Sequence, residues 1–212
     1  GWGMIELWHC KDSRSLRALW TLEELGLDYR LNVLAFPPRV SDPGYTQINP
    51  LGTVPCLVDG ETRMTESSAI CHYLARRYGE GALAVAHDHT EYGAFLNWMY
   101  HADATLTFPQ TLVLRYGRFE AKERRQPQVV EDYTQWFLAR LKLLNAHIEG
   151  REWLCDDRFT VADIAVGYAL YLGDVIGIGQ HYKPQTAAYL ERLKARPAFG
   201  RANAHGSPLF GA

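Results

Sequence analysis

Hydrophobic periodicity changes character once along the chain, and that change limits the folds open to it. Up to residue 79, strand-like runs alternate with helical patterns; from about Glu91 onward every pattern is helical. "MIELWH" (4–9) is a short apolar run consistent with a strand. "SRSLRALWTLEELGL" (13–27) then sets Leu16, Leu19, Trp20 and Glu23 at helical spacing, with Gly26 suited to the stop. "YRLNVL" (29–34) predicts a second strand, followed by a proline-punctuated loop to residue 53. "VPCLV", the turn dipeptide Asp59–Gly60 and "ETRMT" predict a β-hairpin. "ESSAICHYLARRYG" (66–79) closes this half as a helix, with Ile70, Tyr73 and Leu74 on one face. The order βαβ, hairpin, α implies a small mixed sheet with helices packed on it.

The stretch "GEGALAVAHDHT" (79–90) has linker character. Beyond it, Val130, Tyr133, Phe137, Leu141, Leu144 and Ile148 recur at steps of three and four, predicting one amphipathic helix over 128–149. "RFTVADIAVGYALYL" (158–172) carries a capping box, with Thr160 over the first turn, Asp163 reaching back to the Thr160 amide and Phe159 stapled onto Ile164. The predicted organisation is an α/β domain over 4–79, a linker over 80–90 and an all-helical domain over 91–205. The first three residues and the tail from Gly206 are left out of it.

Composition narrows the function. With 212 residues, 47% of them hydrophobic, the chain can bury a core without staples. A formal net charge of −2 leaves no basic footprint for nucleic acid, and the run Lys122–Arg125 is interrupted by Glu123. No apolar run approaches the roughly 20 residues of a membrane helix. Four cysteines, at 10, 56, 71 and 155, form no CxxC pair and no metal spacing, so a reducing cytoplasm is the expected compartment. His87-Asp88-His89 has too few partners for a metal site, and none is expected.

The informative stretch is "NPLGTVPCLVDGETRMTESSAICHYLARRY" (49–78). Pro55 heads what should be an inner strand, where it cannot donate to the ladder. A cis Val54–Pro55 bond would explain it, turning the Val54 N–H and C=O toward an extended ligand. Glu66–Ser67 opens a helix whose positive end favours an anion, with the Ser67 hydroxyl as a further donor. Glu66 supplies the opposite preference, an acceptor for an ammonium. Amine and carboxylate held together describe the head of an amino acid.

This arrangement resembles the glutathione transferase family. "NPLGTVPCLVDG…TESSAI" is similar to its glutathione site, "SRSLRALWTLEELGLDY" to its first helix, and "FTVADIAVGYAL" to the capping-box helix of its second domain; "RPAF" near the end also fits. The likeness spans roughly residues 4–203. It implies an α/β thioredoxin-like N-terminal domain, an all-α C-terminal helical bundle and a homodimer. It further implies that Val54 pairs its backbone with the cysteinyl part of glutathione beside cis Pro55, while Glu66 and Ser67 hold the γ-glutamyl end. Family members often carry a basic residue where this chain has Thr53, so Arg39 and Gln47 become the substitutes near the glycyl carboxylate. The resemblance also implies a second-substrate pocket, with Tyr100, Phe108, Leu112 and Tyr116 as candidate lining.

Two groups compete for the chemistry in "HCKDSRSLR" (9–17). Free glutathione is mostly thiol at neutral pH, whereas the thiolate is the nucleophile. A hydroxyl donating to the sulfur, near a helix N-terminus, favours the thiolate. Ser13 stands where the resemblance places the catalytic serine of serine-type, theta-like members; its alternative role is a simple N-cap, and Ser15 is a weaker rival for both. Cys10 gives a C-x-x-S spacing suited to disulfide or peroxide reduction, against inert packing at a strand end. The expected function is a detoxifying glutathione transferase acting on small apolar electrophiles. The alternatives are a glutathione-dependent reductase using Cys10 and a non-catalytic glutathione-binding protein.

Overall fold

The computed structural model describes residues 3–209. The chain divides into two compact units, one running to Ala84 and resuming at Leu193, the other spanning Val85–Arg192. In the first unit, β1 (Ile5–His9) is followed by α1 (Ser15–Leu25), β2 (Tyr29–Val33), a short α2 (Pro38–Ser41), β3 (Cys56–Asp59), β4 (Thr62–Met64) and α3 (Ser67–Tyr78). The sheet order is β2-β1-β3-β4, with β1 parallel to β2 and antiparallel to β3. Gly26 ends α1 in the left-handed region. At the hairpin Asp59 pairs with Thr62, and Gly60 at φ +61 takes the first of the two loop positions.

The first unit also takes back the end of the chain. Residues from Leu193 onward were assigned by sequence to the helical domain, but α10 (Pro197–Asn203) packs on α1. Trp20 stands edge-on to Phe199 at 5.0 Å. Arg196 forks onto Glu24 at 2.6 and 3.1 Å, and Arg201 reaches Glu23 at 2.7 Å. The apolar periodicity of α10 shows that it needs a partner without saying which helix supplies it.

The second unit is helical: α4 (Tyr92–His101), α5 (Phe108–Leu114), α6 (Pro127–Arg140), α7 (Lys142–Ile148), α8 (Val161–Val175) and α9 (Pro184–Lys194). The helix predicted over 128–149 is two. The backbone breaks at Leu141, whose N–H turns to the Leu138 carbonyl, yet Phe137, Leu141, Leu144 and Ile148 all stay buried. Because the apolar stripe keeps its phase across the break, periodicity could not reveal it. Wide π turns over Ala102–Thr107 and Arg115–Phe119 flank α5. Pro109, which lacks an N–H, accounts for the first. The Gln110 side chain answers the Leu106 carbonyl at 3.0 Å and ties it to Ala169 of α8. The capping box forms as expected: Asp163 accepts the Thr160 N–H at 2.9 Å and Thr160 accepts the Ala162 N–H at 3.2 Å. Phe159 stands edge-on to Trp153 at 5.4 Å. Among the described residues no helix is long and apolar enough to cross a membrane.

Candidate active site

Three segments of the first unit meet at one end of its sheet. Trp8 pairs with Cys56, so the chain beyond it, His9 and Cys10, runs beside Pro55 and Val54. The Val54–Pro55 bond is cis. Arg17, wholly buried in the first turn of α1, donates to Ser67 Oγ at 3.1 Å and fastens the start of α3 to the same place. Sequence reasoning overlooked Arg17, although an arginine flanked by Leu16 and Ala18 on a core helix was a usable signal. By filling an acceptor site on the Ser67 hydroxyl, it leaves that hydroxyl's own proton for an incoming anion.

Ser13 lies in the turn before α1 and is partly exposed. It is not the N-cap; Arg14 is, and no side chain caps it. Ser13 Oγ donates to the Cys10 carbonyl at 2.7 Å, sits 2.6 Å from Ser15 Oγ and meets the Ser15 N–H at 3.3 Å. The turn is held from the end of the chain. Asp12, buried at φ +66, accepts the Leu209 N–H at 3.0 Å, and Lys11 reaches Asn203. The tail from Gly206, left out of the sequence reading, therefore contributes support through Leu209.

Ser15 is fully buried, so it cannot touch a ligand, and its hydroxyl lies 2.6 Å from His9 Nδ1. Burial, chiefly, lowers the His9 pKa to about 4; the charges of His205 and Lys11 add to the effect, while the His205 backbone and Asp12 oppose it. The folded value lies below the ordinary 6.5, so the unfolded chain takes up the proton first. Stability from this group is complete above about pH 6.5 and is lost toward pH 4. The loss reaches on the order of 2 kcal/mol by pH 5. Melting curves at about pH 7 and about pH 5 check this, and the pH-dependent loss should shrink in His9→Asn.

Cys10 is 1% exposed, and burial pushes its thiol up to about 12, which favours the protonated form. Cys56, Cys71 and Cys155 are likewise free and buried. Val54 is half-buried and Pro55 buried, while Thr53 is exposed. The Thr53 carbonyl takes the Tyr45 hydroxyl at 2.6 Å, and its Oγ1 takes Asn49 Nδ2 at 3.1 Å. Arg39 is exposed with its stem against Gly52, where an added Cβ would lie 2.9 Å from Arg39 Cβ; Gly52 also sits at φ +66. Gln47 is exposed at the end of a 3₁₀ turn, and Glu66 is exposed at the N-cap of α3.

In the second unit, Tyr100 and Phe108 are 75% and 55% exposed, and Leu112 and Tyr116 are half-buried. They lie on α4, α5 and the second π turn. His89 is committed on both ring nitrogens, one to the Glu91 N–H and the other to Asp156, each at 2.9 Å.

With this geometry in hand, the likeness to known proteins is consistent over most of the chain. Residues 13–77 match the family model for the glutathione S-transferase N-terminal domain, and residues 102–197 that for the C-terminal domain. Glutathione S-transferase GstB of Escherichia coli K12 is 30% identical over 199 residues, covering 92% of this chain and 95% of the relative. The disulfide-bond oxidoreductase YfcG of the same organism is 28% identical over 207 residues, covering 94% of each. A crystal structure of a glutathione transferase from Methylococcus capsulatus superposes with a TM-score of 0.81 at 27% identity, covering 95% of this chain and 98% of the other. The chain belongs to the glutathione S-transferase family.

Proposed function

We propose that this transferase joins the glutathione thiolate to small apolar electrophiles, with Ser13 holding the sulfur. The observation that carries it is the position of the Ser13 hydroxyl: partly exposed, at the mouth of α1, at the end of the sheet where Val54–Pro55 and the start of α3 also lie. Glutathione would lie extended along Val54, with its γ-glutamyl carboxylate on Ser67 and the first-turn N–H groups of α3, and its ammonium on Glu66. Arg39, whose stem lies against Gly52, and Gln47 are the groups that would meet the glycyl carboxylate. On binding, the thiol proton leaves to solvent and the Ser13 O–H turns from the Cys10 carbonyl to the sulfur anion. The sulfur lone pair then attacks an electrophilic carbon; a C–S bond forms and the leaving group departs with the electrons of its bond, for example as halide. Electrostatic stabilisation of the sulfur charge before attack is the protein's main contribution. Tyr100, Phe108, Leu112 and Tyr116 are the residues assigned to the second substrate, and the working form is a homodimer in a reducing cytoplasm.

The test compares glutathione-dependent turnover of a chromogenic aryl halide with reduction of a glutathione mixed disulfide, in wild type and Cys10→Ala. Conjugation by both proteins at similar rates is expected, because the Cys10 thiol is buried and protonated. Disulfide reduction without conjugation, abolished in Cys10→Ala, would replace the transferase with a reductase. Retention on immobilised glutathione with neither activity would leave a binding protein.

A further inference from the structure

The proton on Ser13 is not free to point anywhere, because its hydroxyl is the outer end of a hydrogen-bonded chain that begins in the core. Ser13 Oγ lies 2.6 Å from Ser15 Oγ, and Ser15 Oγ lies 2.6 Å from His9 Nδ1. Two hydroxyl oxygens so close require a proton between them, so one serine must donate to the other. Ser15 Oγ also accepts the Cys10 N–H at 3.1 Å.

Ser15 Oγ also lies 3.2 Å from the Cys10 carbonyl, but sending its proton there would make it accept from Nδ1–H, the Cys10 N–H and Ser13 at once, one more than its two lone pairs hold, so two arrangements remain. If His9 Nδ1 carries a proton, it donates to Ser15, Ser15 donates to Ser13, and Ser13 keeps its own proton for an outside acceptor. Ser15 is then complete, with two hydrogen bonds accepted and one donated. Ser13 likewise accepts from the Ser15 hydroxyl and N–H, and in the absence of a ligand it donates to the Cys10 carbonyl. If Nδ1 is bare, Ser15 donates to His9, Ser13 donates to Ser15, and no proton remains for a thiolate. The tautomer of one buried imidazole thus decides whether the serine can act.

We infer that His9 and Ser15 are positioning residues, a buried Nδ1–H relay that turns the Ser13 proton outward to the glutathione sulfur. Two further observations favour this direction. His9 is 1% exposed, and its Nε2 is buried without a hydrogen-bond partner among the described residues, although the His205 backbone acts on the ring against the effect of burial. A buried nitrogen in that position is tolerated better as a bare acceptor than as an orphaned N–H donor. In addition, each donor in the chain strengthens the next, so a relay fed from Nδ1 makes Ser13 a stronger donor than an isolated hydroxyl.

The inference rests on Ser13 being the donor proposed above, and the experiment separates the two. The readout is the pKa of enzyme-bound glutathione, followed by thiolate ultraviolet absorbance, in wild type, Ser13→Ala, Ser15→Ala, His9→Leu and His9→Asn. Ser15→Ala and His9→Leu are each expected to raise that pKa by about one unit and to lower kcat/KM about tenfold below it. The KM for glutathione should stay near that of wild type. His9→Asn, which can place an amide N–H where Nδ1 was, should recover most of the shift. An imidazole nitrogen–proton correlation spectrum of the wild type should show the proton on Nδ1, which decides the matter even if His9→Leu does not fold. A proton on Nε2, or a thiol pKa moved by Ser13→Ala but not by Ser15→Ala, overturns the relay and leaves Ser13 in place. A thiol pKa unmoved by Ser13→Ala overturns the donor assignment itself.

Discussion

Ser13→Ala is expected to cut kcat/KM for aryl-halide conjugation about 100-fold, with a matching rise of about two units in the pKa of bound glutathione. A hydrogen bond to an anion contributes about 1.5–3 kcal/mol, and two pKa units correspond to about 2.7 kcal/mol. The fold should survive. The turn is held by the Ser13 N–H on the Cys10 carbonyl at 3.2 Å and the Leu16 N–H on the Ser13 carbonyl at 3.0 Å, both of which alanine keeps. The side chain gives up contacts only with Cys10 and Ser15. Stopped-flow pH profiles of the variant and wild type decide the point. At pH well above the variant's raised pKa the two rates should converge, because solvent then ionises the thiol in both. A gap that persists unchanged at high pH would mean that Ser13 acts on something other than the thiolate.

Asp163→Ala is expected to carry the largest cost in stability, about 4 kcal/mol, or roughly a 10 °C fall in Tm for a chain of this size. Asp163 is wholly buried and serves three donors: the Thr160 N–H at 2.9 Å, the Leu154 N–H at 3.1 Å and the Tyr189 hydroxyl at 2.5 Å. Alanine leaves all three without their partner in the interior and removes half of the capping box of α8. Tyr189 is also wholly buried, and burial together with the Asp163 carboxylate holds its hydroxyl far above the ordinary pKa. Asp163→Asn, which keeps one acceptor oxygen, should lose less. Urea unfolding of the full chain followed by circular dichroism measures both. A loss below about 1 kcal/mol in Asp163→Ala would show that water replaces the carboxylate, and would make the capping box a marker of the helix start rather than its anchor.

Much of the fold was legible in the residues themselves. The hairpin follows from Asp-Gly between strand-like runs, the stop of α1 from Gly26, and the start of α8 from Thr160 and Asp163 at capping-box spacing. These are contacts over a few residues, where turn chemistry and backbone hydrogen bonding are decided locally. The groups proposed around glutathione were legible for a related reason: Val54–Pro55 and Glu66–Ser67 stand out because proline at a strand head and a serine opening a helix each break or satisfy a local rule. The split at Leu141 was hidden because a helix can break without disturbing its apolar stripe. The π turns around α5 were hidden because Pro109 announces a disturbance but not its form.

What the sequence by itself determined is therefore the inventory: a mixed α/β domain, a helical domain, a serine at the mouth of the first helix and a proline at the head of an inner strand. Only the tertiary structure decided how that inventory is wired. It brought α10 back onto α1 and set Arg17 behind Ser67. It sealed Cys10 in the core, so that the thiol that competed with Ser13 on paper stays protonated. It also lined up His9, Ser15 and Ser13, three residues whose spacing in the chain carries no message. Capping and periodicity act between near neighbours and leave a trace in the sequence. Burial and the direction of a hydrogen-bonded chain depend on groups brought together by packing, and they exist only once the core has closed.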